Sequence, residues 1–341
     1  MTAIYADERC LLHVSPGHPE RPERVNAATE AVHNAHLPLN WPAVDRCSPS
    51  VVQRVHSERQ VQMVAELARQ GGGWIDSDTY VVVGSYEAAL RAAGGAVQAT
   101  SDVVLGKETN AMVLVRPPGH HATRNRSMGF CLFNSIAIAA QWAIDELGIR
   151  RVAIVDVDVH HGNGTQDIFY DRSDVLYCSL HQYPHYPGTG ALTECGAETG
   201  LGTTVNVPLM PGCGDQSYAA ATARVVLPSI ERFAPELVLV SLGFDAHWAD
   251  PMADMQLSLA GYSVVLSQVL AAASRVCAGR AVFLLEGGYD VDVLSGGVVN
   301  AAALLAGASL PTDPLGPSPK GPEPYESGQV VDAACRLHGL S

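Results

Sequence analysis

The sequence predicts an α/β domain in which a mostly parallel sheet carries helices on both faces. Two observations predict it. Six short apolar runs, AMVLV at 111–115, VAIVDV at 152–157, VLYCSL at 175–180, TTVNV at 203–207, LVLVSLG at 237–243 and AVFLLE at 281–286, each read as a strand buried on both faces. Between them lie Ala- and Leu-rich stretches with helical spacing: GSYEAALRAAGGAVQATSDVVL, NSIAIAAQWAIDEL, SYAAATARVVLPSIERF and AGYSVVLSQVLAAASRVCA. Strand, helix, strand in repetition builds a parallel sheet covered on both sides. Ligands of such sheets bind outside the carboxyl ends of the strands.

With 341 residues, 47% hydrophobic and 16% charged, the chain can bury a large core, and no shift in composition divides it. One domain over 1–309 is expected, followed by a Pro/Gly-rich tail at 310–341 that packs on or near it. Its first part, LPTDPLGPSPKGPEPYESG at 310–328, reads as irregular. The N-terminal MTAIYADERC has no cationic leader, and no later run reaches about 18 consecutive apolar residues, so a soluble, cytoplasmic protein without a membrane partner is expected. Eight cysteines, none in a CxxC pair, read as reduced thiols. A net charge of −14, with Lys107 and Lys320 the only lysines, argues against a nucleic-acid partner and suits a cationic one. The oligomeric state stays open.

The polar residues gather at the strand ends. RPPGHHA, with His120 and His121, follows AMVLV; DVDVHHGNG follows VAIV; FDAHWADP, with Asp245, follows LVLVSLG; GGYD, with Tyr289, follows AVFLLE. All four groups are expected at one rim. Asp156, Asp158 and His160 stand at i, i+2 and i+4, on one face of a strand. Buried carboxylates without a partner are costly, so an opposite charge belongs there. Asp158, His160 and Asp245 make a two-carboxylate, one-imidazole site for zinc or a similar divalent ion (iron(II), cobalt(II)) that must hold a water. Asp156 suits an outer position, holding a histidine from the neighbouring loop.

Together RPPGHHA, GFCLFNSIAIAA, DVDVHHGNGTQDIFY, SLHQYPHYPGTG, LGFDAHWADPM and EGGYD resemble the histone deacetylase family of zinc amidohydrolases, over about Tyr5 to Gly307. HPERPER, GSYEAALRAAGG and the Asn of HHGNG resemble its class II branch and bacterial relatives, among them deacetylase-like and acetylpolyamine amidohydrolases. The resemblance implies an arginase/deacetylase-like three-layer fold with about eight central strands, and makes 1–309 a single catalytic domain. It implies zinc on Asp158, His160 and Asp245, with His121 as general base and His120 as its electrostatic partner paired to Asp156. Asn163 stands behind His121 where class I members carry Asp, and Tyr289 resembles the phenol that binds the scissile carbonyl. Gly129 and Phe130 resemble the floor and wall of the acyl-lysine channel, and Arg24 the residue near the acetate exit. A structural potassium is implied on Asp156, Asp158, His160, Ser179 and Leu180.

Tyr186 departs from the family, which mostly has Phe on that channel wall. Met252 stands where polyamine-specialised relatives tend to place Glu, while Asp78 or Thr79 is expected to hold a peptide backbone at the entrance. The substrate expected is an acylated lysine in a peptide or protein. A small acylated amine such as an acetylpolyamine is the alternative, and Asp250 and Asp254 near the ligand loop would favour that cation. A dinuclear arginase-like hydrolase would need further carboxylates at the metal. A silent acyl-lysine binder would lack the phenol that Tyr289 provides.

Overall fold

The computed structural model describes residues 1–340. Its strands are β1 (Thr2–Ala6), β2 (Leu39–Asn40), β3 (Gly72–Trp74), β4 (Tyr80–Val82), β5 (Asn110–Leu114), β6 (Val152–Asp156), β7 (Val175–Gln182), β8 (Thr204–Leu209), β9 (Leu237–Leu242) and β10 (Ala281–Leu285). Eight of them form one sheet in the order β2-β1-β5-β10-β9-β6-β7-β8, every neighbouring pair parallel. All six strands read from apolar runs are present, within two residues of the expected bounds at either end.

Alternate residues of the inner strands enter opposite cores, which is why their runs are apolar throughout. Met112, Leu114, Ala153, Val155, Val240 and Phe283 pack on one side with the helices Pro22–Asn34, Leu259–Cys277 and Val291–Leu305. Ala111, Val113, Val152, Ile154, Leu239 and Val282 face the other side, against Glu58–Arg69, Ser85–Val104 and Ser135–Glu146. This is the three-layer arrangement expected. The helix Leu259–Cys277 is long and apolar enough to cross a membrane, yet its apolar face is spent on this core.

Two features differ from the sequence reading. First, β6 ends at Asp156, so Asp158 and His160 lie in the loop beyond it. Side-chain oxygens take over the ladder there: Asp156 Oδ1 accepts from Asp158 N–H at 3.2 Å, and Asp158 Oδ1 from His160 N–H at 2.9 Å. Second, the tail is irregular only to Glu326, because Ser327–His338 forms a helix that buries Val331, Ala334 and Cys335 in the first core. The irregular part is tied down at several points. Trp248 Nε1 donates to Gly316 O at 3.1 Å, Ser318 Oγ donates to Gln256 Oε1 at 2.9 Å, and Glu323 accepts from the backbone N–H groups of Gln216 and Ser217 at 2.8 and 2.9 Å.

Candidate active site

The four polar groups flagged at strand ends follow β5, β10, β9 and β6, which are consecutive in the sheet. Their loops therefore meet at one rim, around a cavity of about 200 Å³ lined by His120, His121, His160, Gly129, Phe130, Tyr186, Met252, Asp78 and Tyr289, together with Pro118, His185 and Gly287. A larger cleft beside Trp41 lies elsewhere and brings together none of these groups.

At the cavity floor Asp158, His160 and Asp245 each offer a donor atom within 4.8 Å of the others. His160 Nδ1 lies 3.1 Å from Asp158 Oδ1 and 3.2 Å from Asp245 Oδ2. Asp158 Oδ2 accepts from Gly287 N–H at 2.8 Å, and Asp245 Oδ1 from Val159 N–H at 3.0 Å. Asp245 Oδ2 is buried yet receives no hydrogen bond among the described residues, since the His160 ring approaches it without the required alignment. Burial and the charge of Asp158 push the Asp245 carboxyl up from its usual pKa. A single proton on His160 cannot serve two carboxylates. A divalent cation can accept all three donors, so the donor set fits a hydrolytic metal. Gly287 is required beside it: a Cβ there would collide with the carboxylates of Asp245 and Asp158.

Above this floor the two histidines are held differently. His120 Nδ1 lies 3.1 Å from Asp156 Oδ2, so Asp156 does hold a loop histidine, and Tyr177 donates its hydroxyl to the same oxygen at 3.1 Å. Burial opposes a charge on His120, but the carboxylates of Asp158 and Asp156 outweigh it and raise its pKa to about 10. His121 Nδ1 lies 2.8 Å from Asn163 Oδ1, which accepts its proton and leaves Nε2 as the free base. Burial, then the positive charges of His120 and His160, push His121 well below its ordinary pKa.

The channel walls are Phe130 and Tyr186. Gly129 and Phe130 both have positive φ, +56° and +67°, so the wall rests on two consecutive left-handed residues. The Tyr186 ring stands edge-on to His121, with centroids 5.1 Å apart. Tyr289 lies at the end of the channel, its ring 5.9 Å from Phe130 and 4.7 Å from the Arg24 guanidinium beneath it. Arg24 is fully buried and does not line the cavity; it donates to Glu286 O at 2.7 Å and Gly288 O at 2.5 Å. Ser179 pairs with Asp156 across β6 and β7, and its hydroxyl lies 2.8 Å from His181 Nδ1.

Thr79 is a correction. It is fully buried, its hydroxyl accepting from Phe130 N–H at 3.1 Å and donating to Asp78 at 2.9 Å, so it braces the wall and Asp78 alone reaches the entrance. Asp250 is another, being 4% exposed and turned onto backbone N–H groups instead of toward a cationic substrate. Three residues were missed. His185 lines the channel, stacked on His160 at 5.1 Å, and the imidazole in HYPGTG was its signal. Glu286 accepts from Gly119 and His120 N–H groups at 2.6 and 3.2 Å, and burial raises its pKa to about 7; a carboxylate closing AVFLLE was the same signal as Asp156. Glu20 pairs with Arg116 and Arg24, and nothing in HPERPER announces that it is buried.

Comparison with known proteins agrees with this geometry. The sequence profile of the histone deacetylase domain matches residues 18–305. The chain is 41% identical over 300 residues to a probable deacetylase of Archaeoglobus fulgidus, covering 86% of this chain and 82% of that protein. It is 40% identical over 310 residues to a histone deacetylase-like amidohydrolase of Pseudomonas aeruginosa, covering 85% and 82%. The crystal structure of the HDA15 HD domain superposes with a TM-score of 0.91 at 36% identity, covering 99% of this chain and 94% of that one. With the profile, the relatives, the sheet order and the strand-end cluster in agreement, the chain belongs to the histone deacetylase family of amide hydrolases.

Proposed function

We propose that this protein is a zinc-dependent deacetylase whose substrate is an acylated lysine side chain in a peptide or protein. The observation that carries the reading is the buried Asp158–His160–Asp245 cluster with its unsatisfied Asp245 Oδ2, set under a narrow channel that ends at Tyr289. Members of the family generally depend on zinc. Bound by these three residues, zinc supplies Lewis acidity and an acidified water. His121 Nε2 takes the proton of the attacking water, its Nδ1–H being held by Asn163. His120 keeps its proton toward Asp156 and adds positive charge beside the developing oxyanion. The Tyr289 phenol donates to that oxyanion, and burial raises its pKa well above the ordinary value, so it stays a donor at neutral pH.

A structural potassium on Asp156, Asp158, His160, Ser179 and Leu180 is supported by the carbonyls of Asp158 and His160, which accept no hydrogen bond among the described residues. For the substrate, Met252 at the rim offers an apolar contact and no counter-charge to a secondary ammonium, which favours acyl-lysine. A small acylated amine is the second reading, favoured by the net charge of −14, whereas the Asp78 carboxylate at the entrance suits a peptide backbone N–H. The test is kcat/KM of the zinc-loaded protein for an acetyl-lysine peptide against N8-acetylspermidine. The peptide is expected to be preferred, and Met252→Glu to move the ratio toward the polyamine; a clear polyamine preference in the wild type overturns the substrate reading.

A further inference from the structure

One peptide group of the Tyr289 loop is gripped at both ends. The C=O of Gly288 accepts from Arg24 Nε at 2.5 Å, and the N–H of Tyr289, the other end of the same peptide, donates to Asp250 Oδ2 at 2.6 Å. The peptide dipole thus lies between a buried cation and a buried anion, each facing the end it attracts. Asp250 does more than close this grip. The same oxygen accepts from Asp290 N–H at 3.0 Å, and Oδ1 accepts from Met252 N–H at 3.0 Å. Met252 O in turn takes His185 Nε2 at 3.1 Å. One carboxylate therefore joins the loop carrying Asp245 and Met252 to the loop carrying the phenol.

We infer that Asp250 is a positioning residue for Tyr289, setting the phenol in register with the metal-ligand loop through the Gly288–Tyr289 peptide. This rests on the proposed role of Tyr289 as oxyanion donor. Such a donor acts only when placed, and a displacement of about 1 Å can cost on the order of 10²-fold in rate. A purely structural reading is also on offer, because Asp250 lies beside the N-terminus of the helix Val291–Leu305, where any carboxylate is favourable. The two readings differ in what they couple to. A helix-end anion would affect folding whether or not residue 289 carries a hydroxyl. A positioning residue would lose its effect on rate once the hydroxyl is gone.

The experiment is a double-mutant cycle with Asp250→Asn and Tyr289→Phe, measured on whichever of acetyl-lysine peptide and N8-acetylspermidine the wild type hydrolyses faster. Asp250→Asn is expected to lower kcat about 10- to 100-fold with KM within about twofold and bound zinc unchanged. In the Tyr289→Phe background the same change should alter kcat by less than about twofold. Effects that multiply, with a slow Tyr289→Phe enzyme, overturn the positioning role alone. A Tyr289→Phe enzyme as fast as wild type overturns the oxyanion reading and the positioning role with it. Hydrogen exchange of the wild type needs no folded variant: the Tyr289 and Asp290 amides are expected among the slow-exchanging loop amides, and exchange at free-loop rates overturns the grip.

Discussion

Two buried charge clusters lie side by side in this protein, and they are balanced in opposite ways. In the first, Glu20 is met by Arg116 through two bonds, at 2.7 and 2.6 Å, and by Arg24 at 3.1 Å, so one carboxylate faces two guanidinium groups. The spare donors go to carbonyl oxygens, including Cys10 O at 3.0 Å and Gly288 O at 2.5 Å. In the second, Asp156, Asp158, Asp245 and Glu286 are all buried, and the bases within reach are imidazoles. The first cluster closes on itself and holds the channel end from below. The second carries more carboxylates than its imidazoles can neutralise and leaves Asp245 Oδ2 unmet among the described residues, which is the imbalance that the proposed metal would offset.

The largest effect that tests this contrast lies in the second cluster. Asp245→Ala is expected to abolish stoichiometric divalent-ion binding and lower kcat/KM more than about 10³-fold. Elemental analysis with a rate assay checks it, and a variant with full metal and activity would erase the distinction between the clusters. Next comes Arg116→Met, which leaves Glu20 with Arg24 alone and is expected to cost about 3–5 kcal/mol of stability in urea unfolding. Zinc should still bind the folded fraction in unchanged amount, and a loss of metal affinity would show that the clusters are not separable.

The smallest effect is on acid stability. Burial alone would raise Glu20, but Arg116 outweighs it and holds the pKa at about 2, below the usual 4.5. A depressed folded pKa stabilises above the unfolded value, and that stability is lost as pH falls from about 4.5 to about 2. At roughly 1.4 kcal/mol per unit, the contribution is on the order of 3 kcal/mol. Glu20→Gln should therefore flatten this part of the acid limb in urea unfolding, and an unchanged slope would remove Glu20 from the account.

The balance of the two clusters also explains what was legible in the sequence. AMVLV, VAIV, LVLVSLG and AVFLLE announced their strands because both faces are buried and filled with aliphatic side chains, whereas TAIYA, equally long and buried, carries Thr, two Ala and Tyr around a single Ile, and β2 has only two residues. The second cluster was legible because unbalanced carboxylates at strand ends have no cheap structural explanation, and Asp158, His160 and Asp245 do converge in a donor set that could hold a metal. The Glu20 cluster was not, because a charged residue in HPERPER looks the same whether it is solvated, with Arg24 as an ordinary i,i+4 neighbour, or buried and neutralised by Arg116 from far along the chain. Thr79 and Asp250 were misplaced for a related reason. Their partners are backbone N–H groups, which no side-chain pattern records.

The C-terminal strap has a practical consequence for where this protein can be shortened. The family profile ends at residue 305, and a boundary drawn there would appear to spare every residue of the site. Yet Gly316 and Ser318 hold Trp248 and Gln256, which flank the segment bearing Asp250 and Met252. Cutting after 309 would free that segment on its outer side and also strip the helix Ser327–His338 from the first core, so the damage should surface both as weaker substrate selection and as lower stability. The end of the recognisable domain and the end of the working catalyst are therefore different places in this chain.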